Sequence, residues 1–442
     1  AFYPQFATHN AHTLATILEL AGNRRDFEFQ KLHGMGEVLY RELASAEDTG
    51  VPCRVYAPVG SHEELLPYLV RRLLENGANS SFVLQVVDPS TSIDELIADP
   101  AEKLRRVEPK PHPSIPRPPA LFQPQRANAL GLDLSQPSVA AELAAALEQA
   151  ASREYTARPG VKVDDAKLHR HAVRDPADRR RVVGEVAFAD AATAERAVAV
   201  AYRAFAGWSR TAVEERAAIL ERAATALERE HAALTYLMAC EAGKTIPDAI
   251  ADWREAVDFL RYYASEARRL QATPVALPGP TGEANWLHLH PRGVFVAISP
   301  WNFPAAIFTG QVAAALAVGN TVVAKPAEAT SLTGQLVVRL LHEAGVPEEA
   351  LVLVPGEGGV VGPVLVGAPR VAGVVFTGST ETAWTINRAL AAKDYPIRPF
   401  VAETGGLNAV IVDNSALPEQ VVTDVVESAF RSAGQRCSAA RI

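Results

Sequence analysis

The chain has 442 residues, 48% of them hydrophobic and 21% charged, a globular composition that excludes a disordered or fibrous protein and is long enough for two or three domains. Its net charge of -8 offers no general attraction to polyanions, which argues against nucleic acid as a partner of this segment. No apolar run approaches the roughly 20 residues needed to span a bilayer, and the scattered Cys53, Cys240 and Cys437 suit neither a disulfide framework nor a zinc site, so a reducing cytoplasm and no bound metal are expected.

The sequence opens Ala1-Phe2-Tyr3-Pro4 without a methionine and closes at Ile442 just after a reactive-cysteine pattern, which reads as an internal piece of a longer protein. Residues 1 to about 105 form a first unit. Within it, Arg54 to Pro58 reads as a strand and a helix follows over about 62 to 76, opened by a Ser61/Glu64 capping box and stopped by Gly77. Ser81 to Val87 reads as the next strand, completing one β-α-β passage. On the helix, Tyr68, Arg71, Arg72 and Glu75 share one face, with Leu66, Leu69, Val70, Leu73 and Leu74 on the other. Two adjacent guanidiniums beside a tyrosine, with Tyr56 in the preceding strand, make a carboxylate clamp. The plain alternative is a solvent face with ion pairs.

Prolines at 109, 111, 113, 116, 118, 119, 124 and 137 then resist helix and predict an extended connector. Beyond it come alanine-rich helices at about 190 to 206, 212 to 241 and 247 to 270. Short apolar strands follow at 294 to 298, 321 to 325, 351 to 354 and 373 to 376, alternating with helices near 305 to 317, 331 to 344 and 358 to 367. This alternation predicts a parallel sheet with helices on both faces, binding its ligand at the carboxyl ends of the strands.

The residues at those ends are chemically distinctive. Asn302, in Pro300-Trp301-Asn302-Phe303-Pro304, has an amide able to donate to an oxyanion, although asparagine is also an ordinary turn residue. Lys325 and Glu328 suit a ribose, with the carboxylate repelling a 2'-phosphate; a solvated strand end is the other reading. Gly378 and Ser379 lead a strand into a helix, where a phosphate finds N-H groups, or they form a plain turn, since no full G-x-G-x-x-G occurs. Cys437, in Gly434-Gln435-Arg436-Cys437-Ser438, is a candidate nucleophile whose thiolate Arg436 would favour, and Glu403, in Ala402-Glu403-Thr404-Gly405-Gly406, is a candidate base for the water that releases an acyl group. A lone cysteine more often packs as a small hydrophobe.

In this order these motifs resemble the aldehyde dehydrogenase superfamily from roughly 150 to the end, with Leu407 a departure where many members carry lysine. The resemblance implies that Cys437 attacks an aldehyde, that Asn302 and the Cys437 N-H hold the oxyanion, that hydride passes to NAD, and that Glu403 activates the deacylating water. Lys325, Glu328, Gly378 and Ser379 would bind the cofactor. Through "FATHNAHT", "FEFQKLHGMG" and "YLVRRLLENGANSSF" the first unit resembles the C-terminal part of the flavin-dependent proline dehydrogenase barrel. That resemblance implies that Arg71 and Arg72 grip the proline carboxylate, that Tyr56, Tyr68 and Leu32 shape the pocket, and that Thr8, His9, Asn10, Gln30 and Glu75 border FAD. His9 alone could equally be a core histidine.

Both resemblances, joined by a proline-rich connector, are those of the bifunctional bacterial proline utilization A family, which oxidises proline with FAD and then glutamate semialdehyde with NAD. The implied fold is α/β: the C-terminal part of a (β/α)8 flavin barrel at 1 to 105, a linker at 106 to 150, a Rossmann-type parallel NAD-binding region at 151 to 415, and the start of an aldehyde dehydrogenase catalytic domain, truncated, at 416 to 442. Phe303 and Ser438, with Glu255 beside them, would line the semialdehyde pocket. The family further implies a homo-oligomer, quinone as electron acceptor at the membrane surface, and a cytoplasmic protein peripheral to the inner membrane. A piece holding part of the barrel and ending close after Cys437 is expected to bind FAD poorly and to be a weak dehydrogenase. A non-catalytic scaffold and an aldehyde dehydrogenase of another substrate class remain as alternatives.

Overall fold

Apolar runs punctuated by capping residues build two units, Ala1–Ile115 and Pro116–Ile442. The structure, a computed structural model, describes residues 2–45, 50–77, 82–108, 110–112, 114–163, 168–392, 394 and 396–442, with the side chains of 44, 45, 75–77, 83, 84 and 87 outside that description.

In the first unit β1 (Gln5–Ala7), α1 (Ala11–Ala21), β2 (Glu28–Leu32), α2 (Glu37–Ser45) and β3 (Cys53–Tyr56) alternate, and the strands pair in parallel in the order β1-β2-β3. Asn10 starts α1 by accepting from the His12 and Thr13 N-H groups at 2.9 and 3.2 Å. Leu14, Phe27, Phe29, Tyr40, Leu43 and Val51 form the core, with Phe27 and Phe29 edge-to-face at 5.6 Å. The helices α3 (His62–Gly77), α4 (Phe82–Val87), α5 (Ile93–Ile97) and α6 (Pro100–Arg106) follow. The capping box of α3 is formed as expected, Ser61 N-H donating to Glu64 at 2.9 Å and Glu64 N-H to Ser61 at 3.4 Å. Its apolar residues Leu66, Leu73 and Leu74 are exposed.

The strand expected over 81 to 87 is instead the helix α4, Ser81 itself lying outside the described residues. A short run that is apolar apart from Gln85 has too little periodicity to separate strand from helix. No strand pairs with the free edge of β3 among the described residues, so this run satisfies its backbone internally.

Glu28 is the electrostatic anchor of the small sheet. Arg54 grips it at 2.7 and 2.8 Å, and Gln30 and Gln5 donate to it at 2.9 and 2.6 Å. These bonds, the arginine first, pull its pKa from 4.5 down to about 2. Because the folded value lies below the unfolded one, the stabilisation is complete above pH 4.5 and is lost as pH falls towards 2. Arg54→Met is therefore expected to move acid unfolding of this unit to higher pH, read by circular dichroism; an unchanged midpoint would mean that the pair contributes nothing.

The second unit comprises α7 (Pro137–Ala151), β4 (Thr156–Ala157), β5 (His169–Arg174), β6 (Val182–Phe188), α8 (Ala191–Trp208), α9 (Val213–Arg229), α10 (His231–Ala242), α11 (Ile246–Gln271), β7 (Val275–Leu277) and β8 (Asn285–Leu287). There follow β9 (Val294–Ile298), α12 (Ala306–Ala317), β10 (Thr321–Lys325), α13 (Ser331–Ala344), β11 (Leu351–Leu353), α14 (Gly358–Gly367), β12 (Val371–Gly378), α15 (Thr380–Ala391), β13 (Phe400–Thr404) and α16 (Pro418–Phe430). The expected strands and their intervening helices are present. The single helix expected over 212 to 241 is two, α9 and α10, parted at Glu230. Within the proline-rich stretch, α7 buries Leu143 and Ala150 in the second unit's core.

The main sheet is parallel with the order β11-β10-β9-β12-β13. Side-chain alternation supplies two cores. Val294, Val296 and Val323 pack with α8 and α14 residues such as Ala197 and Val361, while Ala297, Val322 and Ala324 pack against α9 to α13. Successive strands run outward from β9 in one direction and then from β12 in the other. The loops after these two neighbours therefore leave towards opposite faces and open a crevice at the carboxyl edge.

Candidate active site

Each helix that rises from this edge has its first N-H groups engaged by a side chain. Asp252 of α11 accepts from Ala306 at the start of α12 at 2.6 Å. Glu241 of α10 accepts from Leu332 and Thr333 of α13 at 2.7 and 2.9 Å; its burial pushes its pKa up to about 7 against those bonds. Glu328 accepts from Gly358 of α14 at 2.6 Å, and Ser379 caps α15 by accepting from Thr382 at 3.1 Å. The loops of the edge are thus fixed in place by polar groups, two of them from outside the sheet.

The crevice is a cleft of about 590 Å³ lined by Ser299, Asn302, Lys325, Glu328, Gly378, Ser379 and Cys437 among others. A second cleft of about 520 Å³ shares Ile298, Lys325 and Thr382 with it and runs between α14 and α15, along Gly358, Gly359, Pro363 and Ile386. Together they make an extended slot with an apolar end. Lys325 is buried, which lowers its pKa despite the opposing pull of Glu328, and its Nζ donates to the Pro326 carbonyl at 3.0 Å. A Cβ at Gly378 would stand 2.6 Å from the Phe376 ring, so this strand end admits only glycine without a shift. An apolar slot with a carboxylate and a lysine at its rim and a helix start beside it fits a dinucleotide such as NAD.

Cys437 is exposed within the cleft. Its loop leaves α16 through three left-handed residues, Ser432, Ala433 and Gly434, at φ 55°, 53° and 68°. The turn throws Arg436 back onto α16, where Nη2 donates to the carbonyls of Glu427 and Ser428 at 2.9 and 2.7 Å. The guanidinium expected to attend the thiol is thus occupied by the helix end. Asn408 donates to the Cys437 carbonyl at 2.6 Å, and Asn302 Nδ2 donates to the Gln435 carbonyl at 2.8 Å. The Asn302 amide has a second hydrogen, which this bond does not use.

The structure therefore gathers Asn302, Lys325, Glu328, Gly378, Ser379 and Cys437 around one cleft. Glu403 is exposed on β13 and does not line it, although Thr404 and Gly405 do. Phe303, half-buried, lies 4.4 Å beneath the Lys244 ammonium, and neither it, Ser438 nor Glu255 lines the cleft. Sequence reasoning missed the slot along Gly358 and Gly359. It also missed Gln311, which accepts from Ser299 Oγ at 2.7 Å and donates to Thr377 Oγ1 at 2.9 Å, stitching β9 to β12 beneath the cleft. The available signal was a glutamine in an otherwise almost wholly apolar helix.

In the first unit Thr8, His9 and Asn10 follow β1, Gln30 and Leu32 lie in β2 and Tyr56 ends β3, while Tyr68, Arg71, Arg72 and Glu75 stand on α3. Thr8 accepts from Asn10 N-H at 3.1 Å through Oγ1 and from Tyr40 Oη at 2.6 Å through its carbonyl, and Gln30 donates to Glu28, so these groups already serve the fold. His9 differs. Its Nε2 is buried without a hydrogen-bond partner among the described residues, and burial, with the Lys31 charge, lowers its pKa. Leu32 is buried in register with Tyr56. Burial and a hydrogen bond with Tyr68 raise the Tyr56 pKa, while the Arg72 guanidinium lies 5.1 Å over the Tyr68 ring. Tyr56, Tyr68 and Arg72 thus come together; Arg71 is exposed and the Glu75 side chain lies outside the described residues. The unpartnered His9 nitrogen fits a polar ligand such as a flavin. Among the described residues no group of three or more His, Cys, Asp or Glu could hold a metal ion, and no helix is long and apolar enough to cross a membrane.

A doubly wound sheet whose crevice gathers an amide, an exposed thiol and an adjoining apolar slot has the lining that a dinucleotide-dependent oxidoreductase would require. Residues 163–442 match the aldehyde dehydrogenase family, to which the chain belongs, and residues 1–85 match proline dehydrogenase. The family and α/β fold class read from the sequence are borne out by these matches. The chain is 49% identical over 455 residues to the bifunctional protein PutA of Klebsiella aerogenes, covering 100% of this chain and 34% of that protein. It is 42% identical over 269 residues to 1-pyrroline-5-carboxylate dehydrogenase of Geobacillus kaustophilus, covering 60% of this chain and 52% of that protein. A crystal structure of a variant of Bradyrhizobium japonicum proline utilization A aligns with a TM-score of 0.81 at 51% identity, over 99% of this chain and 41% of that one. The chain thus spans about a third of the length of the bifunctional relatives, at 34%.

Proposed function

We propose that the chain belongs to a proline-catabolic enzyme in which the second unit oxidises glutamate semialdehyde to glutamate with NAD and the first takes part in oxidising proline to pyrroline-5-carboxylate with FAD. The observation that carries this reading is the Asn302 amide tied to the Cys437 loop in a cleft continuous with a dinucleotide slot. The similarity to bifunctional PutA and to 1-pyrroline-5-carboxylate dehydrogenase supports the choice of substrate.

The Cys437 thiolate adds to the aldehyde carbon, and the carbonyl oxygen takes up the negative charge as a thiohemiacetal. The free hydrogen of the Asn302 amide and the Cys437 N-H stabilise that oxygen. Lys325, Glu328 and the Gly378-Ser379 turn would hold NAD, which when bound would accept the hydride that leaves the former carbonyl carbon. Cys437 is then left as a thioester. Glu403, exposed on β13, takes a proton from the water that attacks the thioester carbon, and glutamate leaves as the thiol is restored. Phe303 and Ser438 flank the substrate. In the first unit Arg71 and Arg72 hold the proline carboxylate, with Tyr56, Tyr68 and Leu32 forming the pocket. Thr8, His9, Asn10, Gln30 and Glu75 border FAD, which supplies a two-electron acceptor. The protein is cytoplasmic and a homo-oligomer, passing electrons to quinone at the membrane surface.

Glu403→Gln in the full-length protein tests the reaction. One equivalent of NADH should form per site and then stop, with glutamyl mass trapped on the Cys437 peptide. Steady turnover at the unmutated rate would overturn the role of Glu403. The scaffold alternative is disfavoured by the meeting of Asn302 and Cys437, and the alternative substrate class is decided by comparing kcat/KM for glutamate semialdehyde with that for simple alkyl aldehydes.

A further inference from the structure

Lys244, in the connection between α10 and α11, is buried together with Asp252 of α11, their side chains 4% and 0% exposed and their charged groups 3.0 Å apart. The Lys244 ammonium also donates to the Asn302 carbonyl at 2.8 Å and lies 4.4 Å from the Phe303 ring centre. Asp252 accepts from the Ala306 N-H at 2.6 Å. The segment from Asn302 to Ala306 is therefore gripped at both ends by one buried ion pair. On its other side, the Asn302 amide donates to the Gln435 carbonyl at 2.8 Å.

Such a pair is a poor device for holding helices together, because removing two charges from water offsets most of their attraction and apolar side chains of similar volume would pack as well. What apolar packing could not do is fix the direction of a backbone carbonyl. Lys244 does so at Asn302. With its carbonyl pinned by Lys244 and one amide hydrogen pinned by Gln435, Asn302 has its remaining hydrogen set by the frame.

We infer that Lys244 and Asp252 are positioning residues that orient Asn302 towards the reacting carbonyl at Cys437, governing the chemical step without touching substrate or cofactor. This rests on Asn302 being the oxyanion donor. A displacement of about 1 Å in such a donor costs on the order of 100-fold in rate. NAD binding, which uses the ends of β10 and β12, should be spared.

The test uses Lys244→Met, Lys244→Arg and the double variant Lys244→Met/Asp252→Asn, the last leaving no buried charge uncompensated should the single variant not fold. Hydrogen exchange followed by mass spectrometry should show faster exchange confined to residues 299–308 and 433–438 in both methionine variants, with β10 and α13 still protected. In the full-length protein kcat for glutamate semialdehyde should fall on the order of 100-fold while KM for NAD changes less than about twofold, and Lys244→Arg should recover much of the rate. Unchanged protection at 299–308, or loss spread evenly through the second unit, would overturn the inference. Exchange is read without turnover. Local loosening in an otherwise inert protein would therefore overturn the dehydrogenase reading while supporting the clamp.

Discussion

Cys437→Ala in the full-length protein is expected to abolish NADH formation from glutamate semialdehyde, by about 10⁴-fold or more, while proline-dependent flavin reduction continues. The thiol is the group that turns aldehyde oxidation into a covalent path, and the other cysteines cannot replace it. Cys240 is buried and Cys53 half-buried, and burial pushes both thiols up, away from the reactive thiolate. Cys437 is the one exposed in the cleft. The two oxidations are assigned to different units, so damage to one site should leave the other working. Spectrophotometry at the NADH band with glutamate semialdehyde, beside flavin bleaching with proline, separates them. Aldehyde oxidation at the unmutated rate would sink the assignment of the nucleophile.

The cofactor preference should be equally clear. Glu328 stands at the rim of the slot, held by the Gly358 N-H at 2.6 Å. A 2'-phosphate on the adenosine ribose would meet this carboxylate and compete for the same helix start. Like charges brought together in this way cost several kcal/mol, so kcat/KM with NAD should exceed that with NADP on the order of 100-fold or more. Glu328→Gln should narrow the gap about tenfold or more by removing the charge while keeping an acceptor for Gly358. Equal efficiencies in the unmutated protein would place Glu328 away from the ribose.

The legible parts of the chain were those whose signal is local. β9 to β12 are short runs buried on both faces, and their alternation with helical stretches announced both the sheet and the edge where ligands bind. Asn302, Lys325, Glu328 and Gly378 could be chosen because strand ends are where such a fold keeps its chemistry. What stayed hidden depends on partners distant in sequence. Glu241 and Asp252 accept from helix-start N-H groups 91 and 54 positions away, and no local pattern declares such a bond. Arg436 misled because adjacency in sequence is not adjacency in space: a left-handed turn carries its guanidinium away from the neighbouring thiol. α4 misled because a short, mostly apolar run suits either kind of backbone. β13 was read as a motif carrying Glu403 and not as a strand, since its exposed edge position gives it no buried alternation.

The bond between Asn302 and Gln435 joins points 133 residues apart. Closing a loop of that length costs about 4 kcal/mol of chain entropy, whereas the pairs β9-β10, β10-β11 and β12-β13 are each joined by a single short crossover. The strands at the cleft's edge are therefore expected to pair before the loop that carries Cys437 docks on Asn302. Until that contact forms, the Asn302 amide and the Cys437 loop are not held together, so the oxidation proposed for this cleft depends on so long a closure.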